Sequence, residues 1–501
     1  MASDTSTAAD AGLERELREL ETAARALEPD GDERRALREA LEEHVEGFLG
    51  RLPDALAYEA DKAAARELDT MPVPEESGGP ERARDLLARY RRSVEDVGLK
   101  PASGGHLAYI PGGGLYAAAL GDYLAAVTNE YAGIRFTGPG AVEMENRLIR
   151  WMAELVGYPS DAAGNLASGG SIANLVAVVT AREARGLSAA DVPDAVVYLT
   201  GQAHHCVHKA LRIAGLGECR IREVAMDGDR RMDPADLARS VEEDRSAGRI
   251  PWMVVSSAGT TDVGAVDPLG AISDVAEEEG LWHHVDAAYG GFFLLCPELA
   301  PAFDGIGRSD SVVMDPHKGL FLPYGLGAVV IKDRDAMHRA HRYRAAYMQD
   351  AEEDGPVVES PAELSPELSK HFRGLRLWLP LMLHGLEPFR AALREKVLLA
   401  RWFHREAEAE GFETGPEPEL SVATYRWVPE NGDPDAFNRR LVEAVHEDGR
   451  VFVSSTRLDG QVWLRLAVLT FRTHLDTVRR TLEVLREKVD ELEEGEAPAG
   501  A

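Results

Sequence analysis

A mainly parallel β-sheet covered by helices on both faces is the architecture expected of residues 141–331. Short, continuous apolar runs at 195–199, 221–224, 252–256, 281–285, 311–314 and 327–331 are the strand candidates, and helical patterns near 171–185, 204–214, 234–247 and 268–279 separate them. Apolar runs without polar alternation belong to strands buried on both faces, and strands separated by helices pair in parallel. In such sheets ligands bind beyond the carboxyl ends of the strands, which is where reactive residues are to be sought.

The flanks differ in character. Residues 12–50 read as two charged amphipathic helices broken at Pro29-Asp30-Gly31, and a third follows Gly78-Gly79-Pro80 through Val97. Helices of this kind at a chain start wrap a partner subunit or the main domain. A Gly-rich stretch, HLAYIPGGG at 106–114, then interrupts the helical pattern. Leu148, Ile149, Met152, Leu155 and Val156 recur at helical spacing, one-sidedly. Past Gly385 the elements follow a rhythm of their own: a helix over 387–410, a strand over 421–427, a helix over 434–447, a strand over 462–468 and a helix over 475–493. The expected organisation is an N-terminal helical segment (1–100), a large α/β domain (101–384), a small α+β domain (385–493) and a disordered tail (494–501).

Composition excludes several classes of function. Acidic residues outnumber basic ones 86 to 55, a formal charge of −31, so no basic footprint exists for nucleic acid or an anionic membrane. The longest apolar runs, 291–296 and 464–471, fall far short of the roughly 20 residues that span a bilayer. Three cysteines, Cys206, Cys219 and Cys296, form no CxxC pair, which argues against a disulfide framework or a cysteine-based zinc site. Residues 1–12 are small and polar, without a basic or an apolar signal region. The expectation is a soluble, cytoplasmic protein.

Five places could carry chemistry. ASGGSIAN (167–174) runs straight into a helix: its backbone N–H groups could hold an anion, or Ser171 could simply cap the helix. In QAHHCVH (202–208), His204 and His208 lie one turn apart; they could sit in the core, bind a metal, or stack on an aromatic ligand. In HHVDAAYGG (283–291), Asp286 stands at a strand end among small residues, where a carboxylate could keep a pyridine nitrogen protonated. In DPHKG (315–319), Lys318 beyond a buried strand is a candidate Schiff-base nucleophile, with partial burial expected to lower its pKa. SAGTT (257–261) offers hydroxyls. Together these make a phosphate cradle, a stacking imidazole, an acid for a ring nitrogen and a lysine, which is the inventory pyridoxal phosphate needs.

With those segments in that order, the chain resembles the group II pyridoxal-phosphate-dependent amino acid decarboxylases over about residues 100–480. The motifs are SGGSIAN (168–174), QAHHCVHKA (202–210), AGTTDVGAVDP (258–268), HVDAAYGG (284–291) and DPHKGL (315–320). The resemblance implies a fold-type I, aspartate-aminotransferase-like architecture and pyridoxal 5′-phosphate as cofactor. It implies that Lys318 carries the cofactor as a Schiff base, that His317, Gly170 and Ser171 meet the phosphate, that His204 stacks on the ring and that Asp286 pairs with the pyridine nitrogen. Ala288 would pack beneath the ring and Thr260 close to it. Tyr109 and Pro111 align with a substrate-pocket segment. Tyr347 falls where the family has a mobile-loop tyrosine that protonates the substrate carbon across a dimer interface.

The implied reaction is decarboxylation of an L-amino acid to an amine and CO2 by a homodimer. Leu107, Tyr109 and Ile110 lean the substrate towards the aromatic amino acids, whereas glutamate or aspartate would want an extra cation such as Arg135. Another lyase, an aminotransferase and an aldehyde-forming enzyme share the fold and cofactor. A silent homologue, or a metal hydrolase built on His204, His208 and His284, belong to other classes.

Overall fold

The computed structural model describes residues 3–75, 78–342 and 360–496. Tyr347 and residues 497–501 of the expected tail lie outside them. The chain divides into two compact units, Met1–Lys100 and Pro101–Ala501.

The first unit holds helices α1 (Ser3–Ala24), α2 (Gly31–Arg51) and α3 (Glu81–Tyr90), and a short antiparallel pair, β1 (Tyr58–Glu59) with β2 (Gly98–Leu99). The break between α1 and α2 is chemical. The Asp30 carboxylate accepts the N–H groups of Asp32 and Glu33, while the Glu33 carboxylate accepts the Asp30 N–H, a reciprocal capping box. Helix α3 stops short of the expected Val97, because residues 91–95 widen into a π-helical turn. There the Glu95 carboxylate meets the His44 ring at 2.6 Å.

The second unit opens with α4 (Tyr116–Thr128) and α5 (Pro139–Val156) and continues through β3 (Ala163–Ala167), α6 (Gly170–Ala184), β4 (Ala195–Leu199), α7 (Cys206–Ile213), β5 (Arg220–Glu223) and α8 (Pro234–Ser246). Then come β6 (Ile250–Ser257), α9 (Leu269–Glu279), β7 (Trp282–Asp286), β8 (Ser311–Met314), the one-turn α10 (Pro316–Gly319), β9 (Gly327–Ile331) and α11 (Arg334–His341). The strands form one seven-stranded sheet in the order β3-β9-β8-β7-β6-β4-β5. Pairings from β8 through β5 are parallel, and β9 runs antiparallel to both its neighbours.

Alternate residues of the inner strands feed opposite cores, as the pleat requires, whereas the edge strand β5 is largely exposed. On β4, Ala195, Val197 and Leu199 join one cluster, while Val196 and Tyr198 join another. On β9, Val329 and Ile331 face the first cluster, and Ala328 and Val330 face a third. Strand β3 (AGNLA) was missed in the sequence because its residues are small rather than β-branched; it is nonetheless buried throughout.

A second, antiparallel sheet follows α12 (Gly374–His384) and α13 (Glu387–Ala409). Its strands β10 (Glu413–Thr414), β11 (Val422–Arg426), β12 (Ser454–Leu458) and β13 (Gln461–Ala467) pair in the order β10-β11-β13-β12, with α14 (Pro434–Asp448) and α15 (Leu475–Glu496). Strands β12 and β13 form a hairpin whose turn, Asp459-Gly460, has positive φ at both residues (50° and 80°), the pattern of a type I′ turn. Helix α15 reaches Glu496, past the expected end at 493. Among the described residues, no helix is long and apolar enough to cross a membrane.

His283 on β7 is fully enclosed, its ring nitrogens 2.8 Å from Ser256 Oγ and 3.0 Å from Ser273 Oγ. Burial pushes its pKa down to about 3. The folded value lies below the unfolded value of about 6.5, so its contribution to stability is present above that pH and is lost as pH falls towards 3, at up to about 1.4 kcal/mol per pH unit. The denaturant midpoint is expected to drop between pH 7 and 5, and His283→Gln to flatten that slope.

Candidate functional site

Strands β4, β6, β7 and β8 run parallel, and β3, antiparallel to β9, runs with them. All five therefore finish at one edge of the sheet. The segments that follow them close around a cavity of about 340 Å³ lined by Ser168–Ile172, Asn174, Gln202, His204, Cys206, Ser257, Gly259–Thr261, Asp286, Ala288, Tyr289, Asp315, His317 and Lys318. The five segments picked out in the sequence thus meet in one place, with Gly170, Ser171, His204, Thr260, Asp286, Ala288, His317 and Lys318 all on the wall. Tyr109 and Pro111 do not line it. The Tyr109 side chain is 59% exposed, on a backbone with φ +57°. Pro111 is buried, and at the next residue, Gly112, a Cβ would lie 2.0 Å from the His317 carbonyl oxygen, so this segment passes directly beside α10.

One end of the cavity is built for an anion. Helix α6 starts at Gly170 with no side-chain cap; its N-cap is Gly169 (φ +150°), and Ser171 is exposed within the first turn rather than capping it. The first-turn N–H groups and the helix dipole therefore face the cavity. Space is tight: a Cβ on Gly170 would stand 2.8 Å from Asp315 Oδ2, and one on Gly327 only 2.5 Å from Asp315 Oδ1.

Asp286, at the other end, is held by a hydrogen-bond chain with one direction. Trp282 Nε1–H can only donate, and it donates to Ser311 Oγ (2.9 Å), whose own proton is then free for His284 Nδ1 (2.8 Å). His284 Nε2–H in turn faces Asn174 Oδ1 (2.8 Å), which turns the Asn174 amide N–H groups towards the Gly170 carbonyl (2.9 Å) and Asp286 Oδ2 (3.4 Å). Burial pushes the His284 pKa down to about 4, so the ring is neutral and its single proton is assigned by this chain. Asp286 Oδ1 accepts the Ala288 N–H at 3.1 Å. With both ring nitrogens engaged, His284 is no metal ligand, and His208 stands exposed.

Lys318 Nζ lies 3.3 Å from Asp315 Oδ2. Burial opposes its charge, but the Asp315 and Asp286 carboxylates outweigh that, and its pKa is raised above the ordinary lysine value. This corrects the expectation of a lowered value: the sequence suggested burial, but not two carboxylates facing the same amine. His317 Nδ1–H donates to the Leu326 carbonyl, and burial lowers its pKa. His204 Nδ1 accepts the Cys206 N–H at 3.3 Å, and burial is the largest influence lowering its pKa, so it presents a neutral, flat ring. Burial raises the Cys206 thiol, which excludes it as a thiolate nucleophile.

Two supporting residues were not foreseen. Arg465, on β13, is buried and donates to the carbonyls of Thr261 and Asp262 (2.9 Å for the latter) and to Ser454 Oγ (2.9 Å), which fixes the loop after β6. Its only sign in the sequence was a charge inside the apolar run WLRLAV. Asp267 accepts the N–H groups of Ser257 and Met232, both at 2.7 Å, at the base of that same loop; burial pushes its pKa up to about 6.

This arrangement can hold a phosphorylated pyridine aldehyde: a helix terminus for the phosphate, a carboxylate for the ring nitrogen and an amine for the aldehyde. Residues 75–427 match the pyridoxal-dependent decarboxylase conserved domain. The chain belongs to the pyridoxal-dependent decarboxylase family. It is 31% identical to the aromatic-L-amino-acid decarboxylase of Bacillus atrophaeus over 86% of this chain and 90% of that one. It is 29% identical to a phenylacetaldehyde synthase of Arabidopsis thaliana over 82% of this chain and 89% of that one. The crystal structure of Oryza sativa TDC with PLP and tryptamine superposes with a TM-score of 0.86 at 26% identity, covering 93% of this chain and 99% of that one. The fold is therefore the fold-type I architecture of these decarboxylases, the cofactor is pyridoxal 5′-phosphate, and the enzyme is a pyridoxal-phosphate-dependent amino acid decarboxylase.

Loss of the Asn174 amide would leave Asp286 Oδ2 without its amide donor and His284 Nε2–H unsatisfied. Asn174→Ala is expected to lower kcat about 10- to 100-fold and to blue-shift or weaken the cofactor absorbance band, while circular dichroism stays unchanged. Gly170→Ala should abolish cofactor retention on gel filtration, because its methyl would collide with Asp315.

Proposed function

We propose that this protein converts an aromatic L-amino acid to the corresponding amine and CO2, and that it does so as a homodimer. What supports the substrate class is the charge of the cavity wall. Among the described residues lining it there is no arginine, and Lys318 is the only lysine, already faced by Asp315 and Asp286. An acidic side chain would meet no cation of its own there, and Arg135 is not on the wall. Ile172, Ala288 and Tyr289 give apolar surface instead.

When bound, pyridoxal phosphate supplies an electron sink for the pair that departing CO2 leaves behind. The residues of this chain do the rest. Lys318 would hold the cofactor through its Nζ between substrates. Asp286, oriented by Asn174, keeps a proton on the ring nitrogen, which deepens the sink. His204 and Ala288, both on the cavity wall, would enclose the cofactor ring and exclude water from it. The first turn of α6 and His317 anchor the phosphate, and Thr260 limits movement of the ring. Tyr347 is assigned the proton that returns to the carbon that loses CO2.

The dimer is supported by apolar surface left in water. On α4, Tyr116, Leu120, Tyr123, Leu124 and Val127 follow helical spacing, and each is more than 40% exposed. On α1, Leu13, Leu17 and Leu20 make a similar stripe.

Incubation of the holoenzyme with each of the twenty amino acids and with dihydroxyphenylalanine, followed by mass spectrometry, is expected to yield amine from aromatic substrates with wild type and none with Lys318→Ala. Amine from glutamate or aspartate alone would overturn the substrate class. Aldehyde with ammonia would favour the chemistry named for the Arabidopsis relative. Tyr347→Phe should cut amine formation at least about 100-fold, judged against a general acid's usual contribution. Light scattering on a size-exclusion column should return twice the 54.5 kDa chain mass; a fully active monomer would refute the dimer.

A further inference from the structure

Asp315 is the residue of this site that the reaction does not account for. As the N-cap of α10 its carboxylate would ordinarily accept a first-turn N–H, yet it makes no capping bond. It points instead beneath the uncapped start of α6, against Gly170 and Gly327. Its side chain is 2% exposed; Oδ2 lies 3.3 Å from Lys318 Nζ and 3.7 Å from His317 Nε2, whereas Oδ1 is buried with no hydrogen-bond partner among the described residues. A buried carboxylate oxygen without a donor is costly, and a dianion brought to the same helix terminus would add like-charge repulsion.

We propose that Asp315 is a cofactor-binding residue that makes this site take the phosphate ester as its monoanion. The phosphate gains one proton from solvent, and its P–O–H donates to Asp315 Oδ1. One hydrogen bond then satisfies the unpartnered oxygen and removes one of the two facing charges. Among the described residues no donor reaches Oδ1: Gly170 of α6 and Gly327 of β9, which pack against the carboxylate, carry no side chain, and His317 Nδ1–H is committed to the Leu326 carbonyl. The other titratable groups around Asp315 are Lys318, His204 and Cys206, with Asp286 beyond them. Of these Lys318 is the sole cation, and its contact is with Oδ2, which leaves Oδ1 open. The inference rests on the reading that this cavity holds the cofactor.

The test is calorimetric binding of pyridoxine 5′-phosphate, which has no aldehyde to react with Lys318, to the full-length apoprotein in buffers of differing ionisation heat between pH 6.5 and 8.5. Wild type is expected to take up about one proton at pH 8 and to bind about tenfold more weakly per pH unit above pH 7. Asp315→Asn should take up none and bind at least about tenfold more tightly than wild type at pH 8.5. Equal proton balance in the two proteins, or weaker binding by the variant at pH 8.5, would overturn the proposal. Should the variant not fold, phosphorus NMR of the wild-type holoenzyme decides: a monoanion shift held up to pH 8.5 supports it, and a dianion shift refutes it. No binding at all would instead reject the cavity as the cofactor site, and the proposal with it.

Discussion

Parallel pairing imposes a constraint that the rest of this molecule obeys. Strands paired in parallel must all finish at the same edge, and each return to the start of the next needs a crossover long enough to hold a helix. Strands β4, β6, β7 and β8, with β3 running in the same sense, therefore deliver five loops to one rim. Residues as distant in sequence as Gly170 and Lys318 become neighbours without any loop having to be long. The strands that satisfy this pairing are mostly apolar, and the polar side chains they do carry, such as His283, His284, Ser256 and Ser311, are hydrogen-bonded to one another or to neighbours, so the remaining polar groups concentrate where the strands end.

That concentration creates a second demand. Asp286, His284, Asn174 and Asp315 are all buried, and a buried polar group must find a partner or destabilise the fold. The site answers in two ways. Around Asp286 the partners are complete, and because the Gly170 carbonyl and the Asp286 carboxylate can only accept, the Asn174 amide is oriented and the direction of each bond back to Trp282 follows. Around Asp315 they are incomplete, and the glycines at 170 and 327 leave it facing the helix terminus. The same cavity is thus rigid around Asp286 and electrostatically unfinished around Asp315, at the start of α6.

Much of this was legible in the sequence. Strands 195–199, 311–314 and 327–331 agree with the structure to the residue, because an apolar run between turn residues leaves little freedom in register. The five site segments were legible because small residues and lone titratable groups interrupt apolar runs at strand ends. What could not be read depended on which element lies opposite. Strand β3 gave no β-branched signal and is a strand because β9 pairs with it. The raised pKa of Lys318 depends on two carboxylates brought from different strands, and the role of Arg465 on carbonyls some 200 residues away. Asp315 and Asn174 stood inside quoted motifs, yet only contacts made on folding reveal what they do.

The three cysteines have a practical consequence. Cys206, Cys219 and Cys296 are unpaired and buried, and burial pushes the thiols of Cys219 and Cys296 up to about 11, with Cys206 raised as well. Alkylating reagents act on thiolates, so at neutral pH the native chain presents little for them to modify. A cysteine introduced at an exposed position would thus be a selective attachment point for a fluorophore or spin label, with no native thiol needing to be removed from the core first.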